Sequence, residues 1–84
     1  MTEQITYSPV QIRDIVLKLY QQVLGNSDIC GQDDFFDHGG DSEKGVIVLH
    51  TLRDLTGARI AMSTMYMCPS ADELSEEVAS ALAR

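Results

Sequence analysis

From Ser8 onwards apolar residues recur at three- and four-residue steps, at Ile12, Ile15, Val16, Leu19, Tyr20 and Val23, the period of one face of an α-helix. Ser8-Pro9-Val10-Gln11 supplies a capping box with proline at the first helical position, and Gly25 ends the helix. Between Asn26 and Gly40 the period gives way to Asp, Gly and Asn, which predicts a loop of about fifteen residues. Ile29, Phe35 and Phe36 are apolar anchors inside it, so the loop is expected to be ordered. Periodicity resumes in a second helix from Ser42 to Thr56, with Val46, Leu49, Leu52 and Leu55 facing inward, Ile47 and Val48 widening that face, and Gly57 as a left-handed cap. Ser63 is the expected cap of a short turn through Met65-Tyr66-Met67, stopped by Pro69. A second capping box, Ser70-Ala71-Asp72-Glu73, opens a last helix with Leu74, Val78 and Leu82 at four-residue steps. No strand pattern competes. The expectation is an all-α chain, a small four-helix bundle of three longer helices and one short one, with a long first loop.

Eighty-four residues make one domain, 1–84, with an ordered core expected over about 8–83. A chain of that size buries roughly 60 to 68% of its unfolded surface, too small a core to enclose a substrate. Thirteen acidic against six basic side chains give a net charge of −7, which argues against nucleic acid and favours basic protein surfaces. Cys30, Cys68, His38 and His50 have no zinc-ligand spacing, and both cysteines read as reduced thiols. Met1 to Tyr7 has no apolar signal region, and nowhere do about 20 apolar residues run together. A soluble, cytoplasmic monomer without membrane contact is expected.

The candidate chemistry lies in Asp33-Asp34-Phe35-Phe36-Asp37-His38-Gly39-Gly40-Asp41-Ser42, a loop that delivers a serine to the start of the second helix. Gly39 and Gly40 carry no Cβ, so another protein's active site can approach, and glycine tolerates the positive φ of such turns. Ser42, with Asp41 before it, is the expected N-cap, and a phosphate esterified there would sit at the positive end of the helix dipole. Other motifs fail on spacing. A calcium loop starting at Asp34 would put Phe36, His38 and Gly45 at ligand positions that need oxygen. Gly40-Asp41-Ser42-Glu43-Lys44-Gly45 is one residue too long for a nucleophile elbow. His38, Asp41 and Ser42 lie too close together to form a catalytic triad, and His38 reads as a solvated side chain.

That stretch closely resembles the DDFFELGGDS signature of thiolation, or peptidyl carrier, domains of nonribosomal peptide synthesis. The resemblance extends through Gly57 and Ile60 to Met65-Tyr66-Met67-Cys68-Pro69-Ser70, which is similar to the LFEAPT pattern of those domains. It implies an acyl-carrier-like bundle with no catalytic residues and no metal, in which Ser42, flanked by Gly39, Gly40 and Asp41, carries covalent 4′-phosphopantetheine from coenzyme A. The terminal thiol would hold an aminoacyl or peptidyl group as a thioester. The implied partners are a phosphopantetheinyl transferase, an adenylation enzyme, and condensation or tailoring enzymes. His38, Glu43, Lys44, Val46, Met65 and Tyr66 are the candidate partner-facing residues. Three positions depart from the pattern: His38 replaces a leucine, Glu43-Lys44 stand where apolar residues are usual, and Gly45 costs the helix about 1 kcal/mol relative to alanine. An acid such as Glu43 in a first helical turn is also simply stabilising. An acyl, aryl or D-alanyl carrier with the same arm, and an unmodified interaction module, remain as alternative readings.

Overall fold

Serine caps and left-handed glycines set the helix limits in the computed structural model, which describes residues 7–83. Met1 to Thr6 and Arg84, included in the expected 1–84 span, lie outside the described residues. Helix α1, Pro9–Leu24, opens on the reciprocal Ser8/Gln11 capping box and closes at Gly25, with φ 65°. Helix α2 runs Ser42–Thr56 and closes at Gly57, with φ 82°. Helix α3, Met62–Met67, is short, and α4, Ala71–Leu82, opens on the Ser70/Glu73 box. Helix α1 packs against α4 and α2, while α3 bridges α2 and α4. The element order and the all-α bundle agree with the sequence reading. Among the described residues the only ladder is an isolated bridge between Asp34 and Ser70. No described helix is long and apolar enough to cross a membrane.

The core gathers Ile12, Val16, Leu19 and Tyr20 from α1, Val48, Leu49 and Leu52 from α2, Met65 from α3, and Ala71, Leu74 and Val78 from α4. Ile29 and Phe35 enter it from the long loop. That loop is tied down at several points. The Gln21 side-chain amide donates to Ile29 O at 2.9 Å, Phe35 N–H to Pro69 O at 3.1 Å, and Asp72 N–H to Gly31 O at 2.9 Å. These backbone groups therefore find partners on α1 and at the α3–α4 junction, as an ordered loop requires.

Three local expectations are corrected. The inward face of α2 is Gly45, Val48, Leu49 and Leu52, whereas Val46, Ile47 and Leu55 are 45 to 50% exposed. A run of four apolar residues, Val46 to Leu49, does not by itself select a helical face. Gly45 lies on the buried face, where the Met62 and Met65 side chains close on the space its missing Cβ leaves. Ser63 caps nothing: α3 starts from extended Ala61, without a side-chain cap. Asp41, not Ser42, is the N-cap of α2, with extended backbone and its carboxylate accepting Lys44 N–H at 2.9 Å.

Candidate functional site

Asp34 organises the turn that leads to the serine. Its Oδ1 accepts the N–H groups of Phe36 and Asp37, at 2.8 and 3.2 Å, an arrangement by which a short acid mimics a backbone turn. Nδ1 of His38 lies 2.9 Å from Asp34 O and its Nε2 lies 4.0 Å from an Asp33 oxygen, so this exposed ring is folded back on the loop and not freely solvated.

The two glycines do different jobs. Gly39 has φ 96°, which disfavours any side chain, although a Cβ there would meet nothing. Gly40 has no such φ. A Cβ on it would lie 2.3 Å from the Phe35 ring and 2.5 Å from Phe35 O, the carbonyl that accepts Gly40 N–H at 3.0 Å. The expectation that Gly40 clears space for a visiting enzyme is thereby corrected. Its missing Cβ makes room for the protein's own Phe35.

Ser42 is exposed at the first residue of α2. Because Asp41 has taken the capping bond, Ser42 Oγ is left for other chemistry. Among the described residues the N–H groups of Ser42 and Glu43 have no acceptor, as first-turn groups commonly do not. Glu43 is exposed in that turn. Lys44 is half-buried, and its Nζ donates to Gly39 O at 3.2 Å.

An aromatic row ends at the serine. The Tyr20 and Phe35 rings lie 4.7 Å apart, Phe35 meets Phe36 edge-on at 5.3 Å, and Phe36 stacks on Tyr66 at 4.8 Å with 20° between planes. The Tyr66 hydroxyl is 2.6 Å from Ser42 Oγ. Of the residues named as partner-facing, His38, Glu43, Val46 and Tyr66 are exposed around Ser42, and Lys44 partly so. Met65 is corrected: it is fully buried, directed at Gly45. Met67, outside the candidate partner-facing residues, is 79% exposed, more than Val46, Ile47 or Tyr66. The missed signal was spacing, since in a six-residue helix one inward residue, Met65, obliges the next two to face out.

Two groups near this region have raised pKa values. Burial, then the Asp34 and Glu73 carboxylates, pushes the Tyr20 phenol well above its ordinary range, and its hydroxyl donates to Pro69 O at 2.9 Å. The Cys68 thiol is pushed up by desolvation first and then by Glu77, Glu73 and Glu76. It is therefore a poorer nucleophile at neutral pH than a free thiol. Among the described residues no group of three or more His, Cys, Asp or Glu side chains could hold a metal ion.

Residues 14–78 match the family described as phosphopantetheine attachment site. Over 77 residues the chain is 30% identical to tyrocidine synthase 2 of Brevibacillus parabrevis, a match covering 92% of this chain but 2% of that protein's length. Among solved structures it resembles the HMG-ACPI domain of the CurA module from Lyngbya majuscula, with TM-score 0.79, 26% identity, and 98% and 86% of the two chains covered. A peptidyl carrier protein solved with the phosphopantetheine transferase Sfp and coenzyme A has the same fold, with TM-score 0.79, 22% identity, and 94% and 99% covered.

Proposed function

This chain belongs to the phosphopantetheine attachment site family, and on that premise we propose that it is a peptidyl carrier whose Ser42 takes 4′-phosphopantetheine from coenzyme A. Members of the family are substrates and shuttles for other enzymes and not catalysts. The observation that carries the assignment to Ser42 is the placing of its hydroxyl: exposed, relieved of capping by Asp41, and beside two unpaired first-turn N–H groups. Those groups and the helix dipole fit a phosphate monoanion. In the transfer, Ser42 Oγ bonds to phosphorus, the diphosphate P–O bond of coenzyme A breaks, adenosine bisphosphate leaves, and the seryl proton passes to a base on the transferase. When bound, the arm supplies a thiol that holds an aminoacyl or peptidyl group as a thioester, and tethering raises the effective concentration of that group at each partner.

The likeness to tyrocidine synthase 2 supports an amino-acid cargo, with an adenylation enzyme to load it and a condensation or tailoring enzyme to use it. The peptidyl carrier solved with a transferase supports that partner. Dependence on coenzyme A and ATP-activated amino acids favours the cytoplasm. The likeness to the HMG-ACPI domain favours a second reading, an acyl carrier with the same arm.

Incubation with coenzyme A and a broad-specificity transferase is expected to add the mass of one phosphopantetheinyl group, and Ser42→Ala to abolish the gain. Intact-mass spectra that stay unchanged with several transferases would sink the carrier reading in favour of an unmodified interaction module. A gain that survives Ser42→Ala would move the site to another residue. Offered adenylation enzymes, ATP and amino acids, the modified protein should form aminoacyl thioesters; loading by acyl-transferring enzymes alone would select the second reading.

A further inference from the structure

The Tyr66 side chain has more structure behind it than an exposed docking residue needs. Its ring is stacked on Phe36, which is held edge-on by fully buried Phe35 and pinned through its own N–H to Asp34. A tyrosine has only two side-chain torsions to fix, so this stacking holds the phenol oxygen at small entropic cost. The oxygen so held is 2.6 Å from Ser42 Oγ. In the LFEAPT pattern a phenylalanine stands at the position of Tyr66, so the hydroxyl is an addition of this chain.

We infer that Tyr66 is a positioning residue for the attachment site, holding the Ser42 hydroxyl before modification and the phosphate of the arm after it. The inference rests on the assignment of the arm to Ser42. Before modification both groups are hydroxyls and either can donate. Esterification removes the seryl proton, so only Tyr66 can then donate. A non-bridging phosphate oxygen, two bonds beyond Oγ through phosphorus, comes within reach by rotation about the Ser42 side chain. A donor facing an anionic oxygen makes a stronger bond than one facing a neutral hydroxyl, so the contact is reinforced by the modification. Tyr66 on one side and the free N–H groups of Ser42 and Glu43 on the other then hold the first bonds of the arm between α3 and the start of α2. The remainder of the arm stays free to swing.

The test compares wild type, Tyr66→Phe, which keeps the ring and its stacking, and Phe36→Leu, which keeps the hydroxyl but removes its support. Each is modified with coenzyme A and a transferase, checked by intact mass, and examined by 31P NMR and by cross-relaxation between the geminal methyl groups of the arm and the residue-66 ring. The wild-type 31P resonance should differ from that of the same arm on a short peptide. In Tyr66→Phe it should move towards the peptide value, the held population falling roughly two- to ten-fold, the span of one exposed hydrogen bond. Phe36→Leu should fall between the two. Superimposable 31P shifts and cross-peaks in wild type and Tyr66→Phe, at equal mass gain, would overturn the inference while leaving Ser42 as the attachment site. Absence of the mass gain in all three would overturn both.

Discussion

Asp41 and Ser42 divide a task that one residue often performs alone. A serine at an N-cap would spend its oxygen on a backbone N–H, whereas here the Asp41 carboxylate takes that bond and the neighbouring hydroxyl stays available. Gly39 and Gly40 divide another, one supplying a backbone conformation and the other a missing Cβ. Their alanine variants should therefore behave differently. Gly39→Ala introduces strain without a clash, because open space surrounds the new methyl, and should cost about 1 to 2 kcal/mol. Gly40→Ala drives a methyl into the Phe35 ring and carbonyl, and the ring cannot yield because it is fully buried against Tyr20. Its cost should reach the upper part of the ~1 to 3 kcal/mol typical of overpacking, lowering Tm by about 4 to 8 °C per kcal/mol. Thermal unfolding of the two variants is the check, and a Gly40→Ala protein as stable as Gly39→Ala would contradict the packing role.

At the scale of helices, much was legible in the sequence because caps and periods are local. Ser8, Ser70, Gly25 and Gly57 each act where the chain announces them. The illegible part depended on neighbours distant in sequence. The buried side of α2 is the one on which Met62 and Met65 from α3 close on Gly45, and no period within Val46 to Leu49 contains that information. The Ser42–Tyr66 contact likewise spans 24 positions. Gly45 gives this packing a measurable consequence. Alanine recovers about 1 kcal/mol of helix propensity, while its Cβ would meet Met62 Cε at 2.5 Å and the two sulfurs at 3.2 and 3.3 Å. The end of a half-buried methionine can swing aside, and Met65 need give only a few tenths of an ångström. Gly45→Ala should raise Tm by up to about 4 °C, a fraction of the full propensity gain. A fall in Tm would mean that buried Met65 is fixed and that the glycine is a packing requirement.

For the molecule as a whole, the Pro69 carbonyl is a junction. It accepts the Tyr20 hydroxyl from α1 and the Phe35 N–H from the long loop, at the point where α3 hands over to α4. One buried phenol therefore helps to hold α1 and the serine-bearing loop to the other half of the bundle. Ionising it would remove the donor and leave a buried phenolate near the Asp34 and Glu73 carboxylates; burial first, and those charges second, are why its pKa is raised. The unfolded chain releases this proton near the ordinary tyrosine value of about 10, while the native state still holds it. The stabilisation is complete below that pH and is lost as pH rises through the folded-state value. The raised Cys68 thiol acts in the same direction from its ordinary value of 9.0 upwards, more weakly because it is only partly buried. Tyr20→Phe should lower Tm at about pH 8, since a hydrogen bond of about 0.5 to 1.5 kcal/mol is lost while Pro69 O keeps its bond to Phe35. Above about pH 10 the wild type should lose stability more steeply than the variant, so that the two Tm curves converge. Melting both proteins at intervals from about pH 8 to about pH 11 decides it. Parallel curves would mean that Tyr20 leaves the interior before it ionises.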